Sequence, residues 1–113
     1  MKELKKEVSG LVEAELARAV AKYGKTFASI HEAYAVILEE VEEAGEPFEA
    51  VKMMLSLAWN SIKFNHADYA KDKIKLAKRY AIEAAAELIQ VAAMCEKAAP
   101  DVVCGEEAKN GQE

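Results

Sequence analysis

From Ala84 to Cys95 the chain reads Ala-Ala-Ala-Glu-Leu-Ile-Gln-Val-Ala-Ala-Met-Cys, twelve residues with only two polar side chains. A helix that is apolar all round is expected to be buried all round. Glu87 and Gln90, three apart, share one face of it, and Glu83 lies one turn earlier on the same stripe. A buried carboxylate costs several kcal/mol unless it is paired, hydrogen-bonded or bound to a metal. Something must therefore answer Glu87. A lysine or arginine from the first helix or from Arg79, exposure at an oligomer edge, and a cation are the alternatives.

The rest of the 113-residue chain agrees with a helical setting. It is long enough for one domain that buries roughly two-thirds of its unfolded surface. About one residue in five is alanine and β-branched residues are few, which excludes a sandwich, a barrel or a collagen-like chain. Glycine and proline divide the sequence into four helical stretches, over about 2–22, 29–44, 47–64 and 68–98. Gly24 is expected to end the first, and Ser29 with Glu32 forms a capping box that opens the second. Gly45 should close the second, with Pro47 blocking its continuation. Short connections favour antiparallel neighbours. The expectation is an all-α four-helix bundle spanning 1–99 as a single domain, with a flexible tail over 100–113.

Charge narrows the partners. A formal net charge of −5 without a basic cluster argues against nucleic-acid polymers. Cys95 and Cys104 make no disulfide framework, there is no stretch of roughly 20 apolar residues, and the start of the chain turns acidic where a signal peptide would be apolar. These features are read as cytoplasmic, with no membrane partner.

A second acidic cluster, Glu39-Glu40-Val41-Glu42-Glu43, lies on the second stretch. At 100° per residue Glu39, Glu40 and Glu43 fall within an arc of about 100°, opposite Ile30, Tyr34 and Ile37. Taken alone this is a solvated acidic face. Taken with the Glu87 stripe, two helices each offer oxygen ligands at helical spacing, which suits an oxygen cage in a bundle. Such ligands favour Mg²⁺ or Mn²⁺ over zinc.

Glu39-Glu40-Val41-Glu42-Glu43 resembles the EExxE motif of the MazG-type all-α nucleoside triphosphate pyrophosphohydrolases, and Glu87-Leu88-Ile89-Gln90 falls where that family has ExxD. The flanks His31–Glu40 and Leu88–Met94 are similar to the small MazG-like proteins of phages and bacteria, so the resemblance covers roughly residues 24 to 98. It implies that Glu40, Glu43 and Glu87 ligate Mg²⁺, and that Glu39 is a further ligand or orients the attacking water. Gln90 stands in place of the family's aspartate and offers a carbonyl oxygen without charge; Glu83 can compensate. Forty-three residues separate Glu43 from Glu87, more than in compact versions of the motif. The implied reaction is hydrolysis of a (deoxy)nucleoside triphosphate to the monophosphate and pyrophosphate. A non-catalytic nucleotide-binding or scaffold protein is the rival.

Other residues have two readings. Lys78 and Arg79 can clamp a triphosphate or belong to a solvated basic stripe with Lys71 and Lys75. Trp59 and Asn60 can contact a base, but Trp59 also fits the apolar period of a core. Cys95 reads as a buried small hydrophobe. The apolar stretch Val51–Trp59 exposes more than a monomer tolerates, so a homo-oligomer, dimer or tetramer, is expected.

Overall fold

Three helices, α1 (Lys2–Tyr23), α2 (Ile30–Lys63) and α3 (Ala67–Ala98), make up the computed structural model, which describes residues 1–101. Most of the expected loose tail, from residue 102 on, lies outside the described residues. The all-helical class is as expected, and among the described residues no helix is long and apolar enough to cross a membrane.

The number of helices is not as expected. The second and third stretches are one 34-residue helix, with Gly45 and Pro47 inside it. Proline in a helix interior removes one backbone hydrogen bond and crowds the preceding turn, at about 3 kcal/mol. That penalty is outweighed here because Pro47 is itself buried, on a stripe of Glu40, Ala44, Pro47, Val51, Met54, Ala58 and Ser61 that continues on both sides of it. Ending the helix at Gly45 would pull half of that stripe off its partner.

The local signals at the helix ends act as their chemistry requires. Gly24, at φ 96°, ends α1 and donates its N–H to Val20 O at 2.9 Å. Ser29 Oγ accepts the N–H of Glu32 at 3.1 Å, while the Glu32 carboxylate reaches past Ser29 to accept the N–H of Ala28. Asn65 takes the left-handed conformation at φ 61°. Its N–H bonds to Ile62 O and that of His66 to Ser61 O, the paired bonds of a Schellman motif. His66 O then accepts from Ala70, so one three-residue turn closes α2 and opens α3.

The chain forms two compact units. Among the described residues, one comprises residues 1–37 and 92–101; the other is Leu38–Val91. In the first, α1 has no buried residue, and Leu4, Val8, Val12 and Leu16 line an open groove of about 840 Å³ with Ala92 and Glu96. Lys97 lies over the ring of Phe27, 4.3 Å from its centre, tying the α1–α2 connection to the end of α3.

The second unit is a helical hairpin. Glu43 and Glu87 lie equally far along the chain from Asn65, and their carboxylates meet, so the helices run antiparallel without a shift. On α3 the seam is Ala70, Lys73, Ala77, Tyr80, Ala84, Glu87 and Val91. Both seams alternate spacings of three and four, the 3.5-residue period of coiled-coil packing. Their fully buried members are small: Ala44, Ala58, Ala70, Ala77, Ala84, with Pro47 and Ser61. Such residues let helix axes approach toward the short end of the usual ~8–10 Å range. Ser61 Oγ is satisfied by donating to Leu57 O at 3.1 Å.

This packing overturns three burial expectations. The run from Ala84 to Cys95 is not buried all round: Ala84 and Ala93 are buried, while Leu88 is 54% exposed and Ala85, Ala92 and Cys95 on the same side are exposed, because no neighbour covers that side of α3. Trp59 does not join a core; it is 58% exposed.

A seam of alanines has no room for larger side chains. Ala77→Leu should lower the stability of the protein by about 1–3 kcal/mol in urea denaturation. Ala86→Leu, on an exposed position of the same helix, should change it by less than about 0.5 kcal/mol.

Candidate metal centre

Glu40 and Glu87 occupy seam positions, Glu40 next to Ala44 and Glu87 between Ala84 and Val91. Both are half-buried, and the Oε1 atoms of both are fully covered. Glu43 is one turn after Glu40 on α2 and exposed. One carboxylate oxygen from each of the three lies within 4.8 Å of the other two. The equal distances of Glu43 and Glu87 from the Asn65 turn, together with the unbroken passage of α2 through Pro47, bring these groups to the same level.

Carboxylates this close repel one another by about 1 kcal/mol per pair in water, and by several times that at the lower effective dielectric of a half-buried site. Glu87 Oε1 has no hydrogen-bond partner, and among the described residues no lysine or arginine pairs with Glu87. Arg79 does not answer it. Among the described residues, therefore, none of the lysines or arginines considered for Glu87 pairs with it.

The donor set fits a hard divalent cation. Mg²⁺ binds oxygens at about 2.1 Å in an octahedron, so adjacent ligands are about 3 Å and opposite ones about 4.2 Å apart, and these three oxygens, within 4.8 Å of one another, would draw together around a bound ion. No sulfur or imidazole is part of the cluster. His31 is in the first turn of α2 and His66 in the α2–α3 turn, both exposed and far apart in sequence.

The other candidate residues surround this cluster unequally. Glu39 is exposed, four residues before Glu43 on the same flank of α2. Gln90, half-buried, and Glu83, exposed, stand one turn to either side of Glu87 on α3. Lys78 and Arg79 are exposed, nine and eight residues before Glu87, with Arg79 on the flank that carries Glu43 and Lys78 on the other. Trp59 and Asn60 are exposed and lie about 24 Å of helix rise from Glu43. The hairpin thus gathers Glu40, Glu43 and Glu87, with Glu39, Glu83 and Gln90 beside them, and not Lys78, Trp59 or Asn60.

Comparison with models of known protein families, with curated proteins and with solved structures finds no match to this chain.

Neutralising a covered carboxylate relieves its desolvation and its repulsion from two neighbours. In a chelator, Glu87→Gln should melt at a higher temperature than the parent protein, by a stability gain of about 1 kcal/mol. A lower melting temperature would mean that Glu87 is held by a favourable contact.

Proposed function

We propose that the protein is a Mg²⁺-dependent pyrophosphohydrolase of the MazG-like kind. It hydrolyses a (deoxy)nucleoside triphosphate to the monophosphate and pyrophosphate, working as a homo-oligomer. The observation that carries this reading is the convergence of Glu40, Glu43 and Glu87. These are the residues to which the EExxE and ExxQ segments assign the metal, and one of their covered oxygens lacks a partner. Two segments separated by 43 residues, matched on sequence alone, supply the three members of one oxygen cluster.

The roles follow from position. Glu40 and Glu87 hold their oxygens from the seam, where backbone and packing fix them, and Glu43 supplies the third from the exposed edge. The open side of the cluster is the flank carrying Glu39 and Arg79. Glu39 is placed to accept a hydrogen bond from the attacking water, and Arg79 to meet a polyphosphate oxygen. Glu83 and Gln90 border Glu87; Gln90 can offer its amide oxygen without adding charge. When bound, Mg²⁺, or Mn²⁺ in its place, offsets the repulsion between the phosphates and this acidic protein and makes water a better nucleophile. Trp59 and Asn60 are too far along α2 to share one nucleotide with Glu43 of the same chain.

The rival is a nucleotide-binding protein with little turnover. Gln90 favours it, because the site is one negative charge short of the family's pattern.

Two measurements test the reading. Incubation with a panel of ribo- and deoxyribonucleoside triphosphates and Mg²⁺ should release pyrophosphate. Glu40→Ala and Glu87→Ala should each lower kcat/KM by at least about 100-fold, a loss of roughly 3 kcal/mol of transition-state stabilisation. No pyrophosphate from any nucleotide, with one of them raising the melting temperature only in Mg²⁺, would favour the rival. Separately, Mg²⁺ or Mn²⁺ alone at about 100 times its dissociation constant should stabilise the protein by about 2.7 kcal/mol, and Glu87→Gln should abolish that gain.

A further inference from the structure

The net charge of −5 conceals a division within the hairpin Leu38–Val91. Residues 52–79, on both sides of the α2–α3 turn, carry seven lysines and arginines against Asp68 and Asp72, whereas residues 38–51 and 80–91 carry eight glutamates and no basic side chain. Because the helices run antiparallel without a shift, Lys52 and Lys78 are level with each other. The turn half of the hairpin is therefore basic and the open half acidic. Among the described residues, none of the basic side chains from Lys63 to Arg79 forms a salt bridge. Large apolar side chains gather at the same end. Phe64, in the turn itself, is 71% exposed, and Trp59, Ile62 and Tyr69 are about half exposed, all within about 9 Å of helix rise from Asn65. Lys63 lies over the ring of Trp59 at 6.0 Å and Lys73 over that of Tyr69 at 4.9 Å. From Lys71 to Arg79 the basic side chains follow behind, at about 9 to 21 Å of rise from the turn.

We propose that the turn end of this hairpin binds the surface of an anionic lipid bilayer, its four apolar side chains entering the headgroup region and its lysines meeting lipid phosphates. Shape and order argue for this occupant. Trp59 and Ile62 lie one residue past the seam and Tyr69 one before it, so they stand on opposite flanks with Phe64 at the apex. A nucleic-acid strand running along one flank reaches only some of them, and a flat surface met end-on reaches all four. An amphipathic element enters a bilayer by about 5–10 Å, the depth over which these side chains are spread, and Trp and Tyr suit that level with an apolar ring and a polar tip. Cations set behind that layer are placed for the phosphates. The acidic half does not cancel the attraction. Its nearest member, Glu49, is about 24 Å of helix rise from Asn65, about three screening lengths at physiological salt. Contact is with the surface alone, since no described helix is long and apolar enough to cross a membrane. It involves no residue of the metal centre and stands independently of the catalytic reading.

The test is co-sedimentation of the full chain with vesicles of phosphatidylcholine, alone or with about 30% phosphatidylserine, in a chelator so that no divalent cation bridges the acidic half to lipid. The emission of Trp59, the sole tryptophan, is followed in parallel. The expected result is binding to the anionic vesicles only, with a blue shift of Trp59, weakened about tenfold or more when salt rises from about 0.1 to 0.5 M. Phe64→Ser, and separately Lys71→Gln with Lys75→Gln, should each weaken binding by about tenfold or more while helical circular dichroism is retained. Phe48→Ser, at a half-exposed phenylalanine about 26 Å of rise from the turn, should leave it intact. Absence of binding to the anionic vesicles overturns the proposal, including where a single-stranded oligonucleotide or a second copy of the chain binds through Phe64 instead. So does equal binding to neutral vesicles, or vesicle binding that survives Phe64→Ser or that Phe48→Ser weakens as much.

Discussion

The seam between α2 and α3 is the contact on which the rest of the hairpin depends. Its fully buried members are alanines with one proline and one serine, residues that let helices approach closely. Each buried alanine removes little apolar surface from water. Closeness therefore has to be maintained over many turns, and this is why an unbroken stripe prevails over a proline in the middle of α2. The alternating three- and four-residue spacing keeps both helices facing each other despite the 3.6-residue period of each.

The same closeness gives the acidic residues their character. Glu40 and Glu87 sit where small or apolar side chains would pack. Their seam positions cover one oxygen of each, and the antiparallel register sets them level with Glu43. A wider pair of helices, spaced by leucines, would hold these carboxylates farther apart. Small residues that seem to do nothing but fill space therefore set the separation of the chemical groups. Large apolar side chains such as Phe48 and Leu55 stay about half exposed beside the seam.

Parts of this were legible in the chain. Gly24, Ser29 with Glu32, and the Asn65-His66 turn act through local geometry, which depends on neighbours within a few residues. The pairing of the Glu40 and Glu87 segments was legible in oxygen ligands at helical spacing on two helices, and the donor chemistry in residue type. The continuity of α2 was not, because Gly45 and Pro47 carry a strong local signal against a helix and only the partner helix outweighs it. Nor was the burial of the Ala84–Cys95 run, since hydrophobicity says that a side chain gains by leaving water and not which surface is offered to it. Trp59 and Cys95 are exposed for that reason. A search for the 3.5-residue period through Glu40, Ala44, Pro47, Val51, Met54, Ala58 and Ser61 would have found the long helix, and it would have put Glu40 on the buried side.

The sequence by itself determined the helical class, the caps and turn, and the presence of two carboxylate groups on helices that can meet. These follow from backbone propensity, hydrogen-bonding side chains and spacing along one chain. Only the tertiary structure decided that there are three helices, that the fully buried members of the seam are mostly alanines, and that Glu40, Glu43 and Glu87 share one level. Each of those depends on how closely α2 and α3 approach and in what register, and both are properties of the pair of helices and of neither alone.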